Sequence, residues 1–534
     1  MKTFTLLTLS LFLSVTVHSQ IPAFPGADGF GKYTTGGRTG NVYIVTNLND
    51  AGAGSFRDAV SQPNRIVVFE VGGIIRISSR VVVSPNITIA GQTAPGDGIV
   101  IYGNGVSFSA ANNSICRYLR VRMGINGDSG KDAFGLANGA NLIFDHVSIS
   151  WGRDENFSIS WDNKGNEPAN ITIQNSIIGQ GLWSHSCGGL IQTNGGVSLY
   201  RNLYIDNKTR NPKVKGKNEF VNNIVYNWGD GGAYIQGDSE GASEANMINN
   251  YFIAGPAVNN NTAPFTRGNS NFSAYASGNY YDSNRDGSLN GVLLTQADYG
   301  TGDRAINWKT TPYAYPLAPG NPDILTAAQT YQSILQHVGA SYPHRDQVDQ
   351  FMINELTSLG TQGITISTFT NENLLPTGGP GNVSGGTAPT DTDRDGMPDQ
   401  WEQANNLNPA NAADGKTVRS DGYTNLEHYI NSIVSSNALK TVAPHRHGKA
   451  TLKLFPNPVK GQGVLQCMLP EGGSYRIEVF NAGAQPVKII TDSKAPEGAL
   501  LTHRLDLTGL PSGVYTVRMT TANGTISRKL VVQQ

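Results

Sequence analysis

A turn in the middle of the chain concentrates positive charge. The stretch NKTRNPKVKGKNEF, residues 207–220, contains five basic side chains: Lys208, Arg210, Lys213, Lys215 and Lys217. The whole chain has a formal net charge of −1, so this local cluster predicts a site for an anion rather than a basic domain. Pro212 fixes its own φ and restricts Asn211 to extended backbone, which places Arg210 on a rigid support. The alternative is a solvated charged turn.

Acidic side chains form a second group upstream. The stretch FDHVSISWGRDEN contains Asp145, Asp154 and Glu155, with Asn156 as a further oxygen donor. If the chain winds into coils, these acids can meet in space, and hard oxygen ligands suit Ca²⁺. Three such ligands leave coordination positions for water or for a substrate carboxylate. The alternative is a set of turn carboxylates that cap backbone N–H groups.

A third acidic stretch matches a calcium-binding loop. The segment DTDRDGMPDQWE, residues 391–402, fits the pattern D-x-D-x-D-G-x5-E at each position. The predicted carboxylate ligands are Asp391, Asp393, Asp395, Asp399 and Glu402. A helix before the loop is not expected, because a Gly- and Pro-rich segment precedes it. We expect structural Ca²⁺ here, and the alternative is a disordered acidic linker.

The elements that position these residues are predicted to be β-strands. Short apolar runs recur at intervals of roughly 20–30 residues, the repeat range of solenoids. They start at Pro85, Asn113, Asn141, Asn170, Val197, Asn218 and Ala245. Each run is rich in β-branched residues, alternates, and ends in Gly, Asn or Asp. The pattern predicts an all-β chain built on a right-handed parallel β-helix, with an apolar bore and Asn ladders at the turns. A β-sandwich would also give short strands, but the regular spacing favours the solenoid.

Composition restricts the class of function. Charged residues make up only 15% of the 534 residues, and this near-neutral balance argues against nucleic-acid binding. Residues 1–19 have Lys2 before an apolar run, which predicts a secretory signal peptide. A membrane anchor is disfavoured, because the run is shorter than the roughly 20 residues that a span needs. We therefore expect an exported, extracellular or cell-surface monomer without stable membrane insertion.

The cysteines do not predict a disulfide framework. The chain contains three, Cys116, Cys187 and Cys467, and an odd number in a chain of this size is not typical of disulfide-stabilised folds. A bond between Cys116 and Cys187 is one alternative. The other is that all three are small buried apolar groups.

Changes in composition divide the chain into six parts. They are a signal peptide (1–19), the β-helix (20–375), a flexible linker (376–390), the calcium module (391–435), a second linker (436–449) and a small β-sandwich (450–534). Because Gly- and Pro-rich linkers behave as flexible spacers, the module and the sandwich are expected to be separable from the β-helix.

Three stretches of the β-helix region together resemble the pectate lyases of polysaccharide lyase family 1. They are FPGADGFGKYTTGGRTG, IFDHVSISW and the Arg-x-Pro of TRNP, and the resemblance covers roughly residues 20–370. In that family a parallel β-helix carries an acidic Ca²⁺ site beside an Arg in the pattern Arg-x-Pro-x-x-Arg. The resemblance implies Asp145 and Asp154 as ligands of a catalytic Ca²⁺. It implies Arg210 as the catalytic base, with Lys215 at the second Arg position.

Three positions depart from that family's pattern. Ser158 stands where a further acid is usual, and Glu155 or Asn156 is expected to replace it as a ligand. Lys215 keeps the positive charge but lacks the bidentate fork of Arg. The family places a Lys near the coil LWSHSCGGL, where this chain offers His185. We interpret His185 as a substrate-binding residue, and the alternative is a satisfied turn histidine.

The resemblance implies a secreted, Ca²⁺-dependent lyase that cleaves polygalacturonate, the de-esterified form of pectin, by β-elimination. Arg210 would remove the C5 proton, Lys213 and Lys215 would meet substrate carboxylates, and Ca²⁺ would spread the enolate charge. The pKa of a free Arg side chain is about 12.5 or higher. For Arg210 to act as a base, its surroundings must lower that pKa. The alternatives are a polygalacturonate hydrolase, which would need paired acids but no basic cluster, and a non-catalytic pectin-binding solenoid.

The last two parts of the chain carry resemblances of their own. The calcium loop resembles the thrombospondin type 3 or dockerin-like loops of secreted bacterial enzymes. About 85 C-terminal residues, with FPNP, GLPSGVY and a terminal Lys before β-branched residues, resemble the sorting domain of the type IX secretion system of Bacteroidetes. That resemblance implies export, with the type IX machinery as a partner. A carbohydrate-binding sandwich is the alternative.

Overall fold

A computed structural model describes residues 20–38, 40–229, 231–237, 240–259, 263–299, 306–438, 451–455, 457–469, 473–495, 499–522 and 524–533. The predicted signal peptide lies outside these residues, and so does most of the second predicted linker.

The described residues before that linker contain 27 strands and five α-helices. The strands are β1 (Asn41–Val45), β2 (Arg65–Phe69), β3 (Gly73–Arg76), β4 (Val81–Val82), β5 (Ile87–Ala90), β6 (Ile99–Tyr102), β7 (Val106–Ser107), β8 (Ser114–Arg117), β9 (Arg120–Arg122), β10 (Phe134–Leu136), β11 (Ala140–Asp145), β12 (Ser148–Ser150), β13 (Phe157–Ser160), β14 (Ala169–Gln174), β15 (Ile177–Gly179), β16 (Leu190–Tyr200), β17 (Leu203–Ile205), β18 (Lys213–Val221), β19 (Ile224–Tyr226), β20 (Tyr234–Gln236), β21 (Ser243–Ile248), β22 (Tyr251–Ile253), β23 (Phe265–Arg267), β24 (Phe272–Ser277), β25 (Tyr280–Asp282), β26 (Val292–Leu293) and β27 (Asn307–Trp308). The α-helices are α1 (Phe56–Ala59), α2 (Ala327–His337), α3 (Gln347–Thr357), α4 (Asp399–Ala404) and α5 (Asn425–Ala438). Short 3₁₀ helices span Gly91–Thr93, Gln296–Asp298, Glu372–Leu374 and Asp414–Lys416.

Two long sheets wind around a common bore. The first contains seventeen strands, and the second contains ten in the order β26-β25-β22-β19-β17-β15-β12-β9-β6-β3. Apart from β26, which pairs antiparallel with β25, each strand pairs in parallel with an equivalent strand of a neighbouring coil. Phe144 of β11 thus lies between Cys116 of β8 and Ile173 of β14. The chain therefore folds as the parallel β-helix that the sequence predicts.

Alternating side chains fill the bore. A column of aromatic rings runs along it, with ring centroids 5.0 Å apart for Phe108 and Phe134, 4.8 Å for Phe134 and Phe157, and 5.1 Å for Phe144 and Phe157. All four side chains are fully buried. Because strand residues point alternately in and out, burying one set turns the other set outward, and Lys213, Lys215 and Lys217 of β18 lie on this outer side.

Asparagine ladders form at the turns, as the sequence predicts. Asn202, Asn223, Asn250 and Asn279 are fully buried. The N–H of each of the first three donates to the side-chain oxygen of the next, at 2.9, 2.8 and 3.0 Å. The ladder satisfies backbone groups that would otherwise be buried without partners, and it holds successive coils in register.

Helices α2 and α3 cover the outside of the second sheet. Arg122 of β9 is fully buried beneath α3, and its Nη2 lies 2.6 Å from Asp349 Oδ1 and 3.1 Å from Asp346 Oδ1. A buried charge needs a paired and hydrogen-bonded partner, which explains why both acids sit at the start of this helix. These contacts attach the N-terminal end of α3 to β9, in the middle of the β-helix.

The calcium module packs against the β-helix. The shared apolar cluster consists of Ile66, Val68, Ala90, Met397, Leu426 and Ile430. Ion pairs flank it, with Arg38 Nε 2.7 Å from Glu427 Oε1 and Arg394 Nη1 3.1 Å from Glu70 Oε1. The preceding linker also lies along the solenoid, where the Ser384 N–H donates to Asp97. The module is thus packed onto the β-helix, although composition suggested a separable unit.

We expect Leu426→Ala to lower the free energy of unfolding by about 2–5 kcal/mol, because the side chain is 2% exposed and sits between α5 and the first sheet. Thermal unfolding followed by circular dichroism measures the effect. Leu374→Ala is the matched control, since that leucine is 45% exposed. Equal melting temperatures for the two variants would contradict the packing described for α5.

The C-terminal unit has its own core. Its strands are β28 (Thr451–Phe455), β29 (Val459–Lys460), β30 (Gln462–Leu469), β31 (Gly473–Phe480), β32 (Pro486–Ala495), β33 (Ala499–Asp506), β34 (Gly513–Thr521) and β35 (Gly524–Gln533). They form sheets in the orders β28-β30-β33 and β29-β35-β34-β31-β32. Leu465, Ile477 and Val517 are fully buried in one apolar cluster that both sheets share. The predicted small β-sandwich is therefore confirmed.

The three cysteines are buried free thiols. The interpretation as small buried groups is confirmed, and the alternative bond between Cys116 and Cys187 is absent. Within the described ranges, none of the helices combines the length and the apolar character that crossing a membrane requires.

Candidate active site

Three carboxylates meet at one corner of the β-helix, where coils enter the first sheet. Asp132 lies two residues before β10, and Asp154 and Glu155 lie just before β13, one coil later. One oxygen of each carboxylate lies within 4.8 Å of the other two. The Glu155 N–H donates to Asp132 Oδ1 at 3.2 Å. We call these three residues the acid corner.

Asp132 is a member that the sequence did not single out. It lies in GDSGKDAF, which reads as an ordinary polar loop. Asp132 could have been found from its spacing in the sequence. It precedes Glu155 by 23 residues, which corresponds to one turn of the solenoid. Two residues with this spacing lie close together only if the strands of successive coils pair in the register that places them at the same corner.

Asp145 does not belong to the acid corner. It ends β11 at the corner that leads into β12, whereas Asp154 follows β12. Its carboxylate accepts from Arg117 Nε at 2.9 Å and from the Gln174 amide at 2.9 Å. The predicted grouping of Asp145 with Asp154 and Glu155 is therefore corrected. Acids from different coils meet only when they occupy the same corner of the cross-section.

The acid corner is crowded with negative charge. Burial, followed by the carboxylates of Asp132 and Asp154, raises the pKa of Glu155 to about 8. Burial also raises the pKa of Asp132. Asp154 Oδ1 is buried and accepts no hydrogen bond from the described residues, and the His185 imidazole lies 3.4 Å away. Three oxygen donors with an unsatisfied member fit a divalent cation such as Ca²⁺.

Arg210 lies directly at the acid corner. Parallel bridges align Glu155 with Cys187 and Cys187 with Thr209 on successive coils, which brings Arg210 beside Glu155. Its guanidinium Nη1 donates to Glu155 Oε1, and its backbone has a φ of 56°. Burial lowers the pKa of Arg210, but Cys187, Glu155 and Asp154 outweigh it and raise the pKa. The protein groups alone therefore favour the protonated guanidinium, opposite to the lowered pKa that the sequence-based mechanism requires.

Lys213 and Lys215 project from the outer face of β18. Val214 between them is fully buried, so strand alternation points both lysines outward. They lie beside Leu190 and Gln192 of β16 in the parallel register. We call the outer side of β18 that carries Lys213 and Lys215 the basic face of β18. It begins at Lys213, three residues after Arg210. The structure therefore brings Arg210 of the basic cluster against Glu155, one of the predicted acids.

The rim of the site is formed by the coil that contains His185. That side chain is 53% exposed, and its Nε2 lies 3.4 Å from Asp154 Oδ1. Trp183 is 41% exposed, and Lys208 Nζ lies 3.9 Å from the centre of its ring. Sequence reasoning missed Trp183, although an exposed aromatic ring beside a cation is a common platform for polar ligands.

Ser158 and Asn156 are not ligands of the acid corner. Ser158 Oγ accepts from the Leu190 N–H at 3.1 Å. Asn156 is fully buried, and its side-chain oxygen accepts from the Gly152 N–H at 2.8 Å. Asp132 supplies the third carboxylate that neither of these residues provides.

Comparison with known proteins decides the family. A protein of Neosartorya fischeri named probable pectate lyase C is 54% identical over 434 residues, which is 80% of this chain and 99% of that protein. The chain belongs to the pectate lyases. A protein of Aspergillus terreus with the same name is 55% identical over 419 residues, or 78% of this chain and 96% of that protein. This pectate lyase is therefore an enzyme, and the hydrolase and the non-catalytic binding protein are set aside.

Two further matches concern parts of this pectate lyase. Residues 453–533 match the family described as the secretion system C-terminal sorting domain, in agreement with the sequence-based prediction. Among solved structures, jun a 1, the major allergen from cedar pollen, is 16% identical with a TM-score of 0.42. That match covers 59% of this chain and 92% of the allergen.

This pectate lyase carries a second acidic site in its calcium module. One oxygen from each of Asp391, Asp393 and Asp395 forms a group within 4.8 Å, and Asp395 forms another such group with Glu402 and Asp414. Glu402 is fully buried, yet neither of its carboxylate oxygens has a hydrogen-bond partner among the described residues. Burial and then neighbouring carboxylates raise the pKa of Asp395 and of Glu402 to about 7. This donor set fits Ca²⁺.

Asp399 and Asp414 correct the predicted ligand set of the loop. The Asp399 carboxylate accepts from the Thr392 N–H at 2.8 Å and from the Thr392 hydroxyl at 2.7 Å, so it caps the loop and is absent from both groups. Asp414 takes part instead, from the 3₁₀ helix beyond the motif. The spacing of residues in the loop motif predicts ligands within residues 391–402. It cannot predict a carboxylate such as Asp414, which a later part of the chain brings to the site.

We expect Ca²⁺ to raise the melting temperature of the wild type, and we expect Glu402→Gln to lose most of that rise. The physical reason is that binding to the folded state alone stabilises it, by about 2.7 kcal/mol at a ligand concentration 100 times Kd. Thermal scans in 1 mM Ca²⁺ and in chelator measure the rise. Asp399→Asn is the control and should keep the wild-type rise, and equal rises in both variants would contradict the assigned ligands.

Proposed function

We propose that this pectate lyase is secreted, depends on Ca²⁺, and cleaves polygalacturonate by β-elimination at the acid corner. The observation that carries the proposal is the position of Arg210, whose guanidinium contacts Glu155 beside the basic face of β18. The relatives' name, pectate lyase, supports the substrate. A polyanionic chain needs positive groups along its path, and Lys213 and Lys215 supply them.

The reaction removes the proton from C5 of a galacturonate unit, forms a double bond between C4 and C5, and breaks the bond between C4 and the glycosidic oxygen. The leaving oxygen takes a proton from solvent and departs as a hydroxyl group. Asp132, Asp154 and Glu155 would hold Ca²⁺, which when bound neutralises a substrate carboxylate and stabilises the charge that develops on it. Lys213 and Lys215 orient further carboxylates of the chain. His185 and Trp183 bind the neighbouring sugar at the rim.

Arg210 accepts the C5 proton in this proposal. Its attachment to Glu155 holds the guanidinium at a fixed position, which favours proton transfer by proximity. Cys187, followed by Glu155 and Asp154, raises the pKa of Arg210 against the lowering effect of burial, so little of the unprotonated base exists at neutral pH. The rate is therefore expected to rise toward alkaline pH. If Arg210 proves to be a clamp for substrate, Lys215 is the next candidate for the base.

Export is the second part of the proposal. The sorting domain at residues 453–533 supports transport to the cell surface or the medium, with the type IX machinery as the partner. Residues 1–19 would serve as the signal peptide for the first membrane. We further propose that the calcium module stabilises the β-helix, because α5 buries Leu426 and Ile430 against the first sheet.

The test of the proposed reaction compares two products of polygalacturonate. Ultraviolet absorbance reports unsaturated uronate, and a reducing-end assay counts broken bonds. We expect both signals to rise together with Ca²⁺ and both to be lost in chelator. Reducing ends without absorbance would indicate hydrolysis, and undiminished absorbance in chelator would contradict the dependence on Ca²⁺.

A further inference from the structure

A cavity with a different lining lies apart from the acid corner. It has a volume of about 780 Å³ and lies between a corner of the coils, the end of α2 and helix α5. Tyr118 and His146 line it from the coils, Ser333 and His337 from α2, and Asn431 from α5. None of the acid corner, Arg210 or the β18 lysines takes part in the lining. Its volume is in the range of ordinary small-molecule sites.

The lining of this cavity is rich in basic groups. They are Arg117, His146, Arg201, His337 and His428. His428 already pairs with Asp421 at 3.1 Å. Burial lowers the pKa of His337 to about 4, so this imidazole meets a ligand as a neutral hydrogen-bonding group. Asp145 is the one acid among the lining residues, and its carboxylate is already occupied by Arg117 at 2.9 Å and His146 at 2.8 Å. The positive charge of Arg201 therefore has no carboxylate partner within the lining. Such a cavity attracts an anion.

Three buried polar atoms of the lining make no hydrogen bond to the described residues, and one of them, His146 Nδ1, still faces Asp145 at 2.8 Å. Arg201 Nε and His337 Nε2 are both buried and make no hydrogen bond to the described residues. A buried polar group without a partner is unfavourable, because it has lost its contacts with water and gained no hydrogen bond in return. The Arg201 guanidinium is nevertheless held in place, because Nη2 donates to the Asp323 carbonyl and the group lies 4.5 Å from the centre of the Tyr200 ring. Arg201 Nε is therefore both fixed and unsatisfied, and His337 Nε2 is unsatisfied.

The remaining lining is aromatic or neutral and polar. Tyr118 stacks on His146 with ring centroids 4.6 Å apart, and Phe24 lies 3.8 Å from the Arg117 guanidinium carbon. Amides and hydroxyls complete the wall: Gln174, Asn175, Ser333, Gln336, Ser341, Asn431 and Ser432. A bare inorganic anion does not use such a surface. Hydroxyls of a sugar can pair with the amides, and its ring carbons can contact the aromatic faces.

We propose that this cavity is a binding site for an acidic sugar, with Arg201 and His337 as the groups that meet its carboxylate. The class of ligand follows from the basic, amide and aromatic lining. The choice of galacturonate as the particular acidic sugar rests on the proposed function. The site binds short uronate chains outside the groove in which cleavage is proposed, and α5 of the calcium module forms one of its walls.

The experiment measures binding without turnover. Isothermal titration calorimetry with digalacturonate is carried out on full-length protein in Ca²⁺, in the inactive background Arg210→Ala. We expect Arg201→Gln in that background to weaken binding at this site at least tenfold. Arg285→Gln is the matched control, because Arg285 also has a left-handed backbone, with φ 54°, and also donates to a carbonyl, that of Val258. It should bind as the background does.

Three outcomes would overturn the proposal. One is equal binding by Arg201→Gln and Arg285→Gln, and another is equal binding of neutral digalactose, which lacks carboxylates. The third is competition by inorganic phosphate at concentrations similar to those of digalacturonate, since that would make the cavity a simple anion site. If Arg201→Gln fails to fold by circular dichroism, His337→Gln replaces it with the same expectation. Because turnover is not measured, a failure of the proposed β-elimination in wild type is distinguishable from each of these results.

Discussion

Replacing Arg210 by Lys is expected to lower kcat on polygalacturonate by at least about 10²-fold, and by up to about 10⁴-fold, because that is the range that general base catalysis contributes. Lys keeps the positive charge but changes the reach and the proton-accepting atom. It also replaces the planar group that contacts Glu155. Affinity for the substrate should change little, since Lys213 and Lys215 remain.

The control for this change is Arg285→Lys, which makes the same replacement at another residue with a left-handed backbone. Its kcat should match that of wild type. A near-normal kcat with a raised KM in Arg210→Lys would make Arg210 a carboxylate clamp, because a point charge still binds an anion. The search for the base would then move to Lys215.

Asp132→Ala is expected to raise the Ca²⁺ concentration at half-maximal activity on the order of 10²-fold, because affinity follows the number of charged ligands. Adding Ca²⁺ should restore part of the rate. The measurement is the initial rate of absorbance increase across a range of free Ca²⁺. Asp128→Ala is the matched control, since Asp128 is an exposed acid of the same loop.

For Asp145→Asn, measured in the same experiment, we expect an unchanged Ca²⁺ concentration at half-maximal activity. It removes a charge that pairs with buried Arg117, so it should destabilise the fold and leave the Ca²⁺ dependence unchanged. If Asp145→Asn shifts the Ca²⁺ dependence and Asp132→Ala does not, the acid corner has been assigned to the wrong residues.

The β-helix could be predicted from sequence because its signals are local. Each coil repeats an apolar strand and an Asn, and the buried ladder of Asn202, Asn223, Asn250 and Asn279 is the direct result. The shared outward direction of Lys213 and Lys215 could be predicted from the alternation of side chains along a strand, with Val214 between them pointing inward. The grouping of Asp391, Asp393 and Asp395, and that of Asp395 with Glu402, followed from the fixed spacing of the calcium loop.

The acid corner could be predicted only in part, because membership depends on coil register. Asp154 and Glu155 were identified, but Asp145 was placed with them although it lies at a different corner, and Asp132 was missed although it is one coil away. The docking of α5 was not predicted either. It depends on Ile66 and Val68 pointing outward from the first sheet, and a helix and a sheet face far apart in sequence give no local sign that they meet.

The most direct test of the central claim is the Ca²⁺ dependence of unsaturated uronate formation in Asp154→Ala, compared with that in Glu402→Gln. The two variants each remove one carboxylate, from the acid corner and from the calcium module respectively. The acid-corner assignment predicts that Asp154→Ala needs at least about tenfold more Ca²⁺ for half-maximal rate. Glu402→Gln, assayed well below its melting temperature, should match wild type. An unchanged Ca²⁺ requirement in Asp154→Ala, or full activity of that variant in strong chelator, would contradict the claim that catalysis uses Ca²⁺ held at this corner.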